Sequence, residues 1–291
     1  MTQIVHANTN KIAVLGTGIM GAAIACNLQK NGFNVSAWSR TYEKAKNLEE
    51  FGVTVHKYVQ DAVSDADIIL TMLKDGDSVL KVINSALPNL SKGTIWIQSS
   101  TVGITANEQL ETFAAENGLK YFDAPVQGTK GPAEQGKLII IASGPLSDRN
   151  TVQSIFDAIG QRTVWVSEQS GVSSKLKLAL NSWAFALTHG IAESLSIAKA
   201  LGVDPSLVID VVKGGPMDNM YFQLKSAAII SGNYDASFSL DNAVKDAELV
   251  IDAAKRAGVK VDGVEAGLER FKRAQQAGHG NKDMVATYFA K

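Results

Sequence analysis

Seven short runs rich in β-branched and aromatic residues lie between Lys11 and Val166, and none follows Gly171. They cover 11–15, 34–38, 67–72, 94–98, 120–122, 137–142 and 163–166, each bounded by Gly, Asp, Asn or Ser. Such residues favour extended chain, and such flanks favour turns. Helical patterns, among them 20–30, 42–50 and 77–87, separate the early runs. Strand–helix alternation of this kind lays largely parallel strands side by side and covers both faces of the sheet with helices. The first part of the chain is therefore expected to be a doubly wound α/β domain.

After Gly171 the pattern becomes all-α. Residues 172–201 read as one helical run with Gly202 at its C-cap. Asp204-Pro205 opens another, with Pro at the first helical position, and Gly214-Gly215-Pro216 breaks it. Two more helices are expected over 242–257 and 263–277. No internal repeat and no low-complexity linker interrupts the chain. The expected division is 1–170 for the α/β domain and 171–291 for the helical one, with the long helix as connector.

At 45% hydrophobic and 20% charged, the composition is that of a globular chain. A net charge of −1 with scattered basic residues gives no electrostatic case for nucleic acid or an anionic membrane as partner. The one cysteine, Cys26, excludes an internal disulfide, and no Cys/His spacing suggests a metal. Residues 1–16 lack the pattern of a secretory signal. The apolar stretch 178–192 contains Asn181, Ser182, Thr188 and His189 and is too short to span a bilayer. A cytoplasmic location and a small-molecule substrate are the expectations.

The segment KIAVLGTGIMGAAIACNL puts Gly16, Gly18 and Gly21 after an apolar strand and at the start of an apolar helix. In this setting G-x-G-x-x-G is a dinucleotide loop. Gly16 permits the tight turn, Gly18 lets backbone approach a pyrophosphate, and Gly21 lets helix and strand pack closely. Thr17, Ile19 and Met20 complete the expected cofactor contacts, and the helix N-terminus favours phosphate. Together these features make the first domain Rossmann-type. The second strand ends in Ser39, Arg40 and Thr41, where an NAD site usually has a carboxylate for the ribose hydroxyl. Arg40 can instead pair with a 2′-phosphate. NADP(H) is thus the expected cofactor, with NADH possible.

The connecting helix carries two lysines near its start, Lys175 and Lys177. Successive helical residues turn by roughly 100°, so positions four apart share a face and positions two apart point nearly opposite ways. Lys177 stacks with Asn181, whereas Lys175 has no polar residue at 179. A lysine desolvated beside a nicotinamide, where the first domain ends, can donate a proton to a carbonyl oxygen or remove one.

These stretches resemble the β-hydroxyacid dehydrogenase family, and within it the glyoxylate/succinic semialdehyde reductase branch, over nearly the whole chain. GTGIMG resembles the family's cofactor turn and WSRT the N-R-T that accompanies NADP use. DAPVQGTKGPAEQGKL (123–138) resembles the substrate-binding motif, GVSSKLKLALN the catalytic-lysine motif, and FSLDNAVKDAEL (238–249) a segment that closes over cofactor and substrate. The resemblance implies Lys177 as general acid/base and Asn181 as its positioning partner and a substrate ligand. It implies Thr101, Lys245, Met72 and Leu73 at the cofactor, and Gln127, Gly128, Thr129, Phe238 and Asp246 around the substrate. Two departures bear on the substrate: Gln127 stands where the family usually has Ser, and Thr129 where it has Gly. Ser173 also replaces a glycine often found ahead of the lysine.

The implied activity is NADPH-dependent reduction of a small aldehyde or oxo acid to the hydroxy acid, reversible as a hydroxyacid dehydrogenase. Gln127 motivates an alternative, an imine reductase or a reductase of uncharged carbonyls. A non-catalytic NADP-binding module is a third reading. The long helix carries apolar residues along most of its length, Ala184, Leu187, Ile191 and Leu195 among them. A homodimer or homotetramer through the helical domain would cover it.

Overall fold

The computed structural model describes residues 10–290. Residues 1–9, on which the reading of no secretory signal partly rests, lie outside the described residues. The chain forms two compact units that divide between Lys177 and Leu178.

In the first unit the order is β1 (Lys11–Leu15), α1 (Ile19–Lys30), β2 (Asn34–Trp38), α2 (Tyr42–Ala45), β3 (Thr54–His56), α3 (Val59–Val63), β4 (Ile68–Thr71) and α4 (Gly76–Ala86). It continues with β5 (Ile95–Gln98), α5 (Ile104–Glu116), β6 (Lys120–Asp123), β7 (Val126–Gln127), α6 (Lys130–Glu134), β8 (Leu138–Ser143), α7 (Arg149–Ile159) and β9 (Gly160–Ser167). The nine strands form one sheet in the order β3-β2-β1-β4-β5-β6-β8-β7, with β9 also paired to β8.

Alternation along β1 explains why helices cover both faces. Ile12 and Val14 join one core with Ile24 and Leu28 of α1 and Ile155 and Phe156 of α7. Ala13 and Leu15 point the other way, into a core with Val63, Ile83, Trp96 and Leu110. Each fully buried Val, Leu or Ile side chain among them is worth about 1.5–3 kcal/mol.

The structure extends the sequence reading at two points. Strands β3 and β7 are too short to stand out as runs. The sheet is also mixed: β6 and β7 each pair antiparallel with β8, through Asp123↔Ser143 and Gln127↔Ile139.

Helix α8 (Val172–Ala200) crosses the division, and α9 (Ser206–Val212), α10 (Met220–Ser231), α11 (Leu240–Arg256) and α12 (Asp262–Ala274) follow. Pro205 precedes the first residue of α9 rather than occupying it. Helix α10 was not among the expected elements; the Asn219 side chain caps it by accepting from Phe222 N at 2.9 Å. Ile191, Ala192 and Leu195 of α8 build the core of this unit with Ile229 and Val285. Its only β pairing among the described residues is the isolated bridge Ser239↔Asp283. No helix among the described residues is long and apolar enough to cross a membrane.

Candidate active site

The glycine loop between β1 and α1 shows a different constraint at each glycine. Gly16 has φ +104°, and a Cβ there would lie 2.3 Å from Met72 O and 2.7 Å from Leu73 Cδ2. A Cβ on Gly21 would lie 1.9 Å from Gly16 O, so α1 can leave the loop this closely only from glycine. At Gly18 an added Cβ meets nothing within 4 Å. The backbone there is open for approach, and internal packing does not require the glycine.

Three observations show that a dinucleotide fits. Gly18 is open, Thr17 Oγ1 is buried without a hydrogen-bond partner, and α1 begins with no side-chain cap and no acidic residue in its first turn. Uncapped N–H groups and the positive end of a helix suit a pyrophosphate. Ile19 and Met20 form the first turn of α1, Ile19 exposed and Met20 half-buried.

Ser39, Arg40 and Thr41 follow β2 directly, Ser39 half-buried and the other two exposed; Thr41 immediately precedes α2. Gly16 N donates to Trp38 O at 2.8 Å, which fastens the glycine loop to the end of β2. Met72 N donates to Leu15 O at 3.0 Å and Leu73 N to Ser100 Oγ at 2.9 Å. Ser100 is fixed in turn by buried Gln98, which accepts from Ser100 N and donates to Ser100 O, each at 2.8 Å. These bonds bring Gly16, Met72, Leu73 and the Ser100–Thr101 turn to the C-terminal ends of adjacent strands, where open α/β sheets bind ligands.

Gln127 ends β7, and its Oε1 accepts from Lys177 Nζ at 3.0 Å. The amide therefore meets the lysine through its carbonyl oxygen, which leaves its NH2 group as the donor end. Gly128 has φ +130° and turns the chain against Leu138 and Pro132, and Thr129 immediately precedes α6. On α8 Lys175 is exposed and Lys177 half-buried.

The second unit carries its own polar group. Asn181 Nδ2 donates to Asp246 Oδ2 at 2.9 Å, and both residues are buried. Lys245 Nζ stands 2.7 Å from Asp246 Oδ1, a charge contact without hydrogen-bond alignment. The Phe238 segment is held by Asp283, whose Oδ2 accepts from Ser237 N, Ser237 Oγ and Phe238 N. Asp283 Oδ1 accepts from Lys225 at 2.6 Å. Burial opposes the ionisation of Asp283, and the Lys225 charge and these bonds still hold its pKa below the ordinary carboxylate value.

Sequence reasoning missed Ser100 and Gln98, and also Asp123, Ser143 and Ser174, which fasten the first turn of α8. Ser174 Oγ and N donate to Asp123 at 2.7 and 2.8 Å, and Ser173 Oγ is 2.9 Å from Ser143 Oγ. The available signal was the Ser-Ser pair at a helix start, where hydroxyl residues satisfy backbone groups.

Comparison with known proteins agrees with this architecture. Residues 11–167 match the family model described as the NAD binding domain of 6-phosphogluconate dehydrogenase. Residues 171–290 match that described as NAD-binding of NADP-dependent 3-hydroxyisobutyrate dehydrogenase. The fold and its glycine loop thus define an NAD(P)-dependent oxidoreductase acting on hydroxyl or carbonyl groups. Glyoxylate/succinic semialdehyde reductase 1 of Arabidopsis thaliana is 30% identical over 95% of this chain and 96% of its own. The chain belongs to the β-hydroxyacid dehydrogenase family. Among solved structures, 3-hydroxyisobutyrate dehydrogenase from Salmonella typhimurium shares the fold with a TM-score of 0.89 at 22% identity, over 96% of this chain and 99% of its own. An imine reductase from Myxococcus stipitatus in complex with NADP+ does so with a TM-score of 0.67 at 21% identity, again over 96% and 99%.

Proposed function

We propose that this chain uses NADPH to reduce a small aldehyde or oxo acid bearing a carboxylate, of the glyoxylate or succinic semialdehyde kind, and runs in reverse as a hydroxyacid dehydrogenase. The observation that carries the reading is Lys177, half-buried near the start of α8 and bonded to Gln127 of the segment assigned to the substrate. A bound NADPH would supply the hydride that reduces the carbonyl carbon.

The chain's own residues do the rest. Gly16 to Gly21 hold the pyrophosphate, Arg40 with Ser39 and Thr41 the 2′-phosphate, and Met72, Leu73, Thr101 and Lys245 the remainder of the cofactor. Lys177 protonates the carbonyl oxygen. An ammonium carries three N–H donors, so donation to Gln127 is compatible with donation to substrate. Asn181, held by Asp246, orients the substrate, whose carboxylate meets Gln127, Gly128 and Thr129; Phe238 and Asp246 line its site.

Gln127 also favours a second reading, reduction of an uncharged carbonyl or imine, because a neutral amide fills more of this position than a serine would. NADPH consumption with glyoxylate, succinic semialdehyde, a neutral aldehyde and a cyclic imine separates the two, with NADH in parallel. Turnover confined to the carboxylate-bearing carbonyls supports the first reading, and turnover confined to the neutral aldehyde or imine supports the second. NADPH binding without turnover on any of them refutes both.

The same reading places the enzyme in the cytoplasm as a homodimer or homotetramer. What supports association is a stripe on α8: Trp183, Gly190 and Ile197 are seven residues apart, so they share a face, and all are exposed. Trp183 is 64% exposed and Ile197 58%, more than a solvated helix face would carry without cover. Light scattering on the purified chain gives the mass directly.

A further inference from the structure

The first turn of α8 is anchored to the sheet more heavily than a helix start needs. Ser173 and Ser174 are consecutive, and they bond to Ser143 and Asp123, which face each other across β8 and β6. The Asp123 side chain is fully buried. One of its carboxylate oxygens accepts from Ser174 N and the other from Ser174 Oγ, and the Gly171 backbone N–H also donates to it. Gly171 itself takes φ +86°, and buried Asn107 packs against it, so the approach to the helix is fixed as well.

We propose that Asp123 is a positioning residue for Lys177: from the end of β6 its carboxylate caps the first turn of α8 and so sets where the lysine on the next turn stands. The inference rests on the reading of Lys177 as general acid/base.

Ser174 and Lys177 are three residues apart and therefore neighbours on one helical face. Holding both the backbone and the side chain of Ser174 fixes the height of α8 and its rotation about its own axis. The other end of the lysine is fixed from the same sheet, because Gln127 lies on β7 and pairs with Ile139 of β8. Base and tip of the Lys177 side chain are thus referenced to one strand. A displacement of about 1 Å in such a group can cost on the order of 100-fold in rate.

The choice of residue supports the role. Burial pushes the Asp123 carboxyl up to about 6, although the Ser174 and Gly171 bonds oppose the rise. A serine or threonine would avoid that cost but offers a single oxygen. The two carboxylate oxygens let Asp123 grip backbone and hydroxyl of Ser174 at once.

The test compares Asp123→Ala, Asp123→Asn and Ser174→Ala with Lys177→Ala. Turnover is expressed per NADPH bound, so that loss of folded protein, which lowers both together, is not mistaken for mispositioning. Asp123→Ala is expected to lower kcat about 30- to 100-fold with little change in the Kd for NADPH. Asparagine can keep both bonds, accepting from Ser174 N through its oxygen and donating to Ser174 Oγ through its nitrogen. Asp123→Asn should therefore recover most of the turnover lost in Asp123→Ala. The proposal is overturned if Asp123→Ala keeps normal turnover per bound NADPH while Lys177→Ala is crippled, or if Asp123→Asn is no better than Asp123→Ala. If Asp123→Ala yields no folded protein, Ser174→Ala decides, with a five- to tenfold lower kcat expected and an unchanged kcat overturning it. Full activity in Lys177→Ala would instead strike at the reading of the lysine, and the positioning role falls with it.

Discussion

Lowering the pH from about 7 to about 4 should destabilise the helical unit through one side chain, His189. This imidazole packs 4.2 Å from the Phe271 ring, and Gly267 passes so near that a Cβ there would lie 2.6 Å from Nε2. Nδ1 is 3.3 Å from Thr287 Oγ1, while Nε2 is buried with no partner. Burial, and secondly the Arg270 charge, lower its pKa from 6.5 to about 4. The folded unit thus holds the ring neutral where the unfolded chain binds a proton. The stability at stake is full above about 6.5 and is lost as the pH falls through about 4. That gap corresponds to about 3 kcal/mol, a large share of the roughly 5–15 kcal/mol that holds a domain folded. Tryptophan fluorescence is a poor probe, since Trp183 is the one tryptophan in this unit and is 64% exposed. Hydrogen exchange of α8 and α12 peptides reads the unit directly, in the native chain and in His189→Asn, which cannot titrate. The native chain should lose protection steeply between about pH 6.5 and 4, and His189→Asn should be flatter by about 3 kcal/mol over that range. Parallel pH profiles for the two proteins would refute the assignment.

Three further outcomes concern the candidate site. Lys177→Ala should lower turnover by about 100- to 10,000-fold while NADPH still binds, measured by steady-state kinetics and cofactor titration. Arg40→Ala should raise the KM for NADPH about tenfold and leave that for NADH unchanged, because only the former carries the 2′-phosphate; equal losses with both cofactors would sink the assignment. Gly18→Ala and Gly21→Ala should separate binding from folding. The first meets no internal neighbour, so it should weaken NADPH binding with an unchanged Tm; the second meets the Gly16 carbonyl and should lower the Tm by several degrees.

How much of this could be read from the sequence depends on how local each cause is. The strands β1, β4 and β5 were legible because burial on both faces demands unbroken apolar runs. β7 was not, because two residues make no run, and its place in the sheet is set by pairing with β8 rather than by its own composition. The antiparallel β6–β8 step is likewise a long-range fact. α10 escaped notice because MYFQLKSAAIIS is apolar on most faces, although Asn219 and Gly232 mark its ends. The glycine loop could be read residue by residue, since each glycine answers a steric demand within one turn of chain. The roles of Asp123 and Gln127 as partners of Ser174 and Lys177 could not, as each pair is about fifty residues apart and joined only by folding.

The division between Lys177 and Leu178 has a practical consequence for recombination. A chimera joined at Gly171, where the strand pattern ends, would import a foreign first turn of α8. It would put at risk the bonds of Ser173 and Ser174 to Ser143 and Asp123, and that of Lys177 to Gln127. A crossover placed after Lys177 and before Asn181 keeps those bonds with the donor of the first unit. It leaves Asn181, Asp246 and Lys245 together with the donor of the second. Within one turn of a single helix, the chain thus offers a seam at which helical units from relatives can be exchanged while each keeps its own polar network.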